Sequence, residues 1–539
     1  MTVLTMTALG LRLRGGRQVL TDLTLRIHPA DVTVIAGCSG AGKTLLLQTL
    51  AGVRQPTSGS VRHDGRRPGR LGPDFGFVPQ DDIIHHALPL ARTLTYAARL
   101  RLPAVTPRVV IDQLVADVLD VLGLSERAAV RVGALSGGER KRASIAVELL
   151  TAPTVLLLDE PTSGLDPSTA AGLMRTLRAL TTRGTTVVLT THSPADLVRS
   201  DRVLFLSPDG RLAYDGSAAG LTDAFGAATV DEVYAAIADG VRTPASPSVP
   251  DEIPVGPPWP EGGQRLGVLR QWLLLTHRSA EILRHDRLAV AVMAGSPLMI
   301  VAMFAVLFRA GAFDPAAPSP GTSAMILFWI AFGSFFFGLT YGLLQIVTEL
   351  AIVRRERLSV LRLGSYLLSK LTLLLPVLAL ADAALLGVLR ALDRLPSASF
   401  SVYGELFATS LLSSAAALAV GLLASALVSE PGQATLLLPL ICFPQVLFSG
   451  AFVPVPEMAL PGQLVSFAMT NRWAFEALGS GIGLEKLWAT GASSLGPPLL
   501  ASYGGSFSHP VWIGCGVLAA FAVACLALAW AVLDRRTGN

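Results

Sequence analysis

At 539 residues the chain is too long for a single hydrophobic core, and about 150 residues per domain suggests three or so units. A mean hydropathy of +0.54 with only 15% charged residues excludes a wholly soluble protein of this size, so part of the chain is expected in lipid. The net charge of +4, carried by dispersed arginines rather than a basic stripe, argues against nucleic acid as a partner despite a pI of about 9.0. Of the cysteines, Cys38 lies in a glycine-rich stretch and Cys442, Cys515 and Cys525 lie in apolar runs, which suggests no disulfide framework. Residues 1–5 lack a basic segment leading into an apolar core, so no cleavable signal peptide is expected.

Residues 19–27 alternate apolar and polar side chains with period two, as a half-buried strand does. The run 32–36 is continuously apolar and reads as a buried strand, and 45–50 continue as a helix. Between them stand Gly37, Cys38, Ser39, Gly40, Ala41, Gly42, Lys43 and Thr44, the spacing of a phosphate loop. Glycines let successive N–H groups close around phosphate oxygens, and the helix N-terminus adds its positive dipole end. Lys43 is expected to reach the β- and γ-phosphates and the Thr44 hydroxyl to ligate Mg2+. A glycine-rich turn that binds nothing would not account for the Lys-Thr pair at the head of a helix.

Residues 1–240 read as an α/β domain in which apolar runs at 32–36, 155–158, 185–190 and 202–206 alternate with helical stretches. Gln80 follows the run 75–79. Ser136, Gly137, Gly138 and Glu139 open a helix that runs to residue 150. Asp159 and Glu160 close the run 155–158, Asp166 follows, and His192 ends another apolar run. In this order the series resembles the ATP-binding cassette of the ABC transporter superfamily. The resemblance implies a Q-loop at Gln80, the signature at Ser136 to Glu139, Walker B at Asp159 and Glu160, the D-loop at Asp166 and the H-loop at His192, with ATP and Mg2+ as ligands. Asp159, with Thr44 and Gln80, is then the metal partner, and Glu160 the general base that polarises the attacking water. His192 holds the transition-state geometry at the γ-phosphate. A lone strand-end histidine is ordinarily structural; its place in the series makes it a catalytic candidate beside Glu160 and Gln80. Many such cassettes stack adenine on an aromatic near the N-terminus, yet residues 1–30 hold no Phe, Tyr or Trp. Arg12 or Arg14 could stack there instead, or both are exposed strand arginines.

Ser136 and its glycines form a second anion-binding helix N-terminus, but the chain has one phosphate loop. The resemblance implies that the signature of one protomer completes the site of the other. A head-to-tail homodimer with two competent sites is the simplest assembly, and a heterodimer with another half-transporter is the alternative.

Residues 241–263, rich in Pro, Gly and Ser, read as a linker, and 264–287 as an amphipathic, arginine-rich connecting helix at the cytoplasmic leaflet. From 288 to 539 six stretches are apolar enough to span: 288–308, 323–348, 371–389, 406–428, 434–452 and 511–533. The expected fold class is therefore a P-loop α/β cassette followed by an all-α transmembrane domain. Basic residues between the second and third stretches place that loop, and both termini, in the cytosol of a multi-pass protein of the cytoplasmic membrane. This order, together with residues 78–82, 136–148 and 354–357, resembles the G subfamily of ABC half-transporters, and the cysteine-free loop 453–510 resembles a bacterial-type member. Arg354, Arg355, Glu356 and Arg357 fall in the element that couples membrane domain to cassette in that family; they also read as positive-inside anchors.

The resemblance implies ATP-driven export of a hydrophobic or amphipathic compound, with membrane lipids as surroundings. A drug-like molecule, a natural product, a lipid or a cell-envelope glycolipid all fit. A membrane ATPase that senses or reshapes rather than transports is a different class. So is a soluble cassette protein of translation or repair, against which the apolar stretches argue. Phe328, Trp329, Phe332, Phe335, Phe336, Phe337 and Tyr341 form an aromatic stripe that reads first as packing and second as a substrate wall. Asp382, a carboxylate inside an apolar stretch, is a functional candidate or a structural hydrogen-bonding group.

Overall fold

The computed structural model describes residues 2–13, 15–66, 74–241 and 266–538. The 241–263 linker, apart from its first residue, and Arg14 lie outside the described residues, as does the start of the 264–287 segment. The chain forms two compact units, one of Met1–Leu274 with Arg354–Leu361, the other of Leu275–Val353 with Arg362–Gly538.

In the first unit the strands are β1 (Leu4–Arg12), β2 (Gln18–Ile27), β3 (Val32–Gly37), β4 (Ser58–His63), β5 (Phe75–Val78), β6 (Val155–Asp159), β7 (Thr186–Thr190), β8 (Arg202–Leu206) and β9 (Leu212–Ser217). The helices are α1 (Lys43–Leu50), α2 (Leu90–Arg101), α3 (Arg108–Val121), α4 (Gly137–Leu149), α5 (Pro167–Thr181), α6 (Pro194–Val198), α7 (Leu221–Phe225) and α8 (Val230–Ala238). One sheet is antiparallel, in the order β2-β1-β4; the other runs β5-β6-β7-β3-β8-β9 and is parallel except for the β8–β9 hairpin. Every residue of β3, β6 and β7 is buried, as continuous apolar runs require when both faces of a parallel sheet are covered. The period-two strand β2 pairs with β1, its buried leucines packing under the phosphate-loop helix α1. Register places Asp159 opposite Thr190 and Ile35 opposite Thr190 on either side of β7. The carboxyl ends of β3, β6 and β7 therefore lie side by side, where open α/β sheets gather ligands.

The remaining helices are α9 (Val268–His285), α10 (Arg287–Leu307), α11 (Pro320–Leu343), α12 (Leu350–Ser359), α13 (Leu363–Ala391), α14 (Phe400–Leu427), α15 (Pro431–Leu447), α16 (Leu460–Phe467), α17 (Thr470–Ile482), α18 (Leu484–Thr490), α19 (Gly496–Tyr503) and α20 (Val511–Thr537). The connecting helix ends where Asp286 caps the next one, its carboxylate accepting the Ala289 N–H at 3.0 Å. Among the described residues five helices are long and apolar enough to cross a membrane: α10, the continuous stretch Pro320–Ser359, α13, α14 and α20. The stretch expected at 434–452 forms the 17-residue α15, which contains Pro439 and Pro444 and gives way to a turn at Gly450. Each proline removes a backbone donor inside the helix, which runs through both and ends at Leu447, before the expected stretch does.

Packing in the second unit centres on α11 and α14. A Cβ on Gly338 would stand 2.0 Å from the Ser414 carbonyl and one on Gly421 would stand 2.7 Å from that of Leu339. Small residues let the two backbones approach, as in other membrane helix pairs. Between α11, α13 and α14, the Asp382 carboxylate accepts from Ser334 Oγ at 2.8 Å and Ser414 Oγ at 2.7 Å. Phe328, Phe335, Phe337 and Tyr341 are buried, so most of the aromatic stripe is core; Trp329, Phe332 and Phe336 are half-buried.

Candidate active site

The phosphate loop leaves β3 at Gly37 and enters α1 at Lys43. Gly40 and Gly42 have φ of 82° and 92°, a region open to glycine and strained for other residues. Lys43 is buried and its ammonium donates to the carbonyls of Gly37 at 2.8 Å and Cys38 at 3.1 Å, folding back along its own loop. Burial pulls its pKa down, against the opposing pull of Glu160, Cys38 and Asp159. Arriving phosphate oxygens would give this desolvated cation the anion it lacks.

At the end of β6 two carboxylates diverge. Asp159 Oδ1 accepts from Thr44 Oγ1 at 3.1 Å and from Thr190 Oγ1 at 2.6 Å. A hydroxyl and a carboxylate meeting at this point are hard oxygen donors of the kind Mg2+ takes, so the residues fit the ion the family uses. Glu160 sits at φ 45°, left-handed for a residue with a Cβ, a strain of about 1–2 kcal/mol that clusters at functional sites. Its N–H donates to Thr190 Oγ1 at 2.9 Å. Its carboxylate lies 3.5 Å from Gln80 Nε2 and 3.4 Å from His192 Nδ1. Thus Glu160, Gln80 and His192 converge, and the Gln80 carboxamide meets Glu160 rather than Thr44 and Asp159.

A second layer orients these loops. The buried Asp196 accepts from Thr162 Oγ1 at 2.6 Å and Thr191 Oγ1 at 2.7 Å, tying the segment after Glu160 to the one before His192. Asp166 caps α5, accepting from the N–H of Ser168 at 3.1 Å and of Thr169 at 3.0 Å. These contacts with Ser168 and Thr169 hold its carboxyl well below the usual carboxylate range. A cavity of about 310 Å3 lined by Glu160, His192, Asp196 and Gly164 opens beside them.

The signature forms a capping box. Ser136 Oγ accepts the Glu139 N–H at 3.3 Å and Glu139 Oε2 accepts the Ser136 N–H at 2.8 Å. Gly137 and Gly138 are the first residues of α4. That helix packs on β5, α2 and α3, whereas α1 packs on β3, β6 and β7. The N-termini of α1 and α4 thus stand on different parts of the unit. At the far end of α4, Glu148 is paired with Arg101 through two contacts of 2.8 and 2.9 Å, with Arg355 Nε at 4.0 Å. Burial alone would lift the Glu148 carboxyl, but Arg101, then Arg355, hold it below its ordinary value.

Sequence reasoning assigned no role to Thr190, Thr162, Asp196, Lys141, Arg101 or Glu148. Thr190 and Thr191 precede His192, and that adjacency was the available signal. Arg12 ends β1, the central strand of its sheet, and its guanidinium donates to Gln18 Oε1 at 3.2 Å.

A phosphate loop, paired strand-end carboxylates, a histidine on the second of them and a signature helix define an ABC-type ATPase cassette, joined here to a domain of apolar helices. Residues 20–163 match the ABC transporter family model and residues 270–482 the ABC-2 type transporter model. The chain therefore carries an ABC transporter cassette followed by an ABC-2 type membrane domain. It is 32% identical over 88% of its length to the ABC transporter ATP-binding/permease protein Rv1747 of Mycobacterium tuberculosis, covering 57% of that protein. It is 39% identical to ABC transporter G family member 22 of Arabidopsis thaliana and 35% to G family member 20 of Dictyostelium discoideum, over 39% and 41% of this chain and 29% and 30% of theirs. The chain thus spans between about a third and about three-fifths of these relatives. Among solved structures, cbiO1 from Clostridium perfringens matches 41% of this chain and 90% of its own, with 26% identity and a TM-score of 0.38.

Proposed function

We propose that the protein is a G-type ABC half-transporter of the cytoplasmic membrane, with both termini cytosolic. In this reading it dimerises, hydrolyses ATP and exports a hydrophobic or amphipathic compound. The observation that carries the reading is the strained Glu160 carboxylate, held between Gln80 and His192 and one residue beyond the Asp159 on which Thr44 and Thr190 converge. Thr44 and Asp159 would hold Mg2+, which supplies charge neutralisation for the phosphates. Glu160 would take a proton from the attacking water, and His192 and Gln80 would fix the position of that carboxylate. Lys43 would exchange its two loop carbonyls for phosphate oxygens. Ser136 and the first N–H groups of α4 would face the nucleotide of a second cassette, and a homodimer is the simplest source of one.

The test is Mg-ATP hydrolysis by the purified protein in lipid nanodiscs, with Glu160→Gln as control and a panel of lipids and hydrophobic compounds as stimulants. Loss of hydrolysis in Glu160→Gln and stimulation by one compound class are expected, and that class names the cargo. Stimulation by lipids or glycolipids alone would make the cargo an envelope lipid. Hydrolysis untouched by Glu160→Gln would overturn the assignment, and hydrolysis that no added compound stimulates would favour a non-transporting ATPase.

A further inference from the structure

Lys141 lies one turn into α4, buried with 5% of its surface exposed, in a helix whose N-terminus carries the signature. Its ammonium donates to the Gln80 carbonyl at 2.6 Å and lies 3.5 Å from that of Pro79. Burying a lysine is costly unless its N–H groups find acceptors, and here the acceptors are the backbone of the Q-loop itself. Burial lowers the pKa of this ammonium, while the carboxylates of Asp82, Asp159, Asp81 and Glu160 favour its charge. The Gln80 side chain at the other end of this contact is the one on Glu160. Seven residues on, and so on the same face of α4, Glu148 holds Arg101 and Arg355. A single helix therefore carries the signature at its head, the Q-loop backbone one turn in, and a buried ion cluster at its tail.

We propose that Lys141 is a positioning residue that ties the signature helix to the Q-loop, so that occupation of one nucleotide site sets the position of Gln80 against Glu160 in the other. This rests on the ATPase reading above. A displacement of α4 by a nucleotide bound across a dimer interface moves the Gln80 carbonyl through a short, charged hydrogen bond, and the carboxamide moves with it. Arg140, the neighbouring cation on α4, donates to the Leu135 carbonyl at 2.5 Å and lies 4.0 Å from the Asp82 carboxylate, whereas Lys141 is the one on the Gln80 carbonyl.

The test compares the full-length parent, Lys141→Met and Lys141→Arg in nanodiscs by three readouts: nucleotide binding, the ATP dependence of hydrolysis, and hydrogen exchange across residues 79–84. Lys141→Met is expected to bind nucleotide like the parent and to lose about tenfold in kcat, the rate equivalent of one charged hydrogen bond. It is also expected to lose any cooperativity in ATP and the nucleotide-induced protection of 79–84, with Lys141→Arg recovering part of each. Unchanged kcat and unchanged protection in Lys141→Met would overturn the tether, and so would a parallel fall in binding and thermal stability that Lys141→Arg shares. A parent that hydrolyses no ATP would overturn the ATPase reading instead, and the exchange readout, which needs only binding, would still decide the tether.

Discussion

The Thr190 hydroxyl donates to Asp159 Oδ1 at 2.6 Å, across the β6–β7 register that sets the two residues opposite each other. Thr190 Oγ1 in turn accepts the Glu160 N–H, so one side chain steadies both carboxylates of the site. Thr190→Val keeps the shape and removes the hydroxyl. If the ATPase reading holds, kcat is expected to fall about tenfold with nucleotide affinity little changed. Steady-state kinetics beside a binding isotherm would reveal this, and an unaltered kcat would strip Thr190 of the role.

Buried His63 donates its Nε2 hydrogen to the Leu50 carbonyl at 2.9 Å and stacks on Phe75 with ring centroids 4.5 Å apart. Burial pushes its pKa down to about 4 from an ordinary 6.5. The folded value is the depressed one, so the unfolded chain takes up the proton first as pH falls. The contribution to stability is complete above about pH 6.5 and is lost progressively down to about pH 4, by up to about 3 kcal/mol. Thermal unfolding at pH 7 and pH 4.5 should show a larger drop for the parent than for His63→Gln. Equal drops would assign the acid sensitivity to other groups.

Arg355 lies 4.0 Å from Glu148, which Arg101 already grips from the other side. Arg355→Glu would press two carboxylates together in a buried place, where removing one partner of an ion cluster costs about 3–5 kcal/mol. Transport should fall further than ATP binding, and Arg355→Lys should restore part of it. A variant that transports like the parent would reduce Arg354 to Arg357 to membrane anchors.

Asp382 is fully buried, with a serine of α11 and a serine of α14 on its two oxygens. Asp382→Ala would leave both hydroxyls without their acceptor and open a small void, an expected loss of about 2–4 kcal/mol. Asp382→Asn keeps an oxygen and adds a donor that the serines can accept, and should unfold close to the parent. Detergent-solubilised thermal unfolding would compare them; if Ala unfolds with the parent, the carboxylate is no part of the packing.

Much of the cassette was legible because its chemistry is written in contiguous residues: a phosphate loop needs its glycines, Lys43 and Thr44 in one short run, and buried strands declare themselves as apolar runs. The roles of Thr190, Asp196 and Lys141 were not legible. Each acts on a residue 31, 34 or 61 positions away, respectively Asp159, Thr162 and Gln80, and a hydroxyl or an amine carries no sign of its partner. Nor does Glu160 announce its left-handed backbone. In the helical domain hydropathy located the apolar stretches but not the helix ends: α15 stops at Leu447, before the expected end at 452, while α13 begins at Leu363, eight residues before the stretch expected from 371.

The glycines that seat α11 against α14 leave no room between the two backbones for even a methyl group. Two rods in contact along their carbonyls cannot slide or splay by small steps, so the pair is a beam that turns as one piece. On the export reading, any widening of a path through this unit would be hinged outside that pair, in helices whose hydrogen-bond ladder is already interrupted. Pro297 in α10 and Pro439 and Pro444 in α15 are such interruptions.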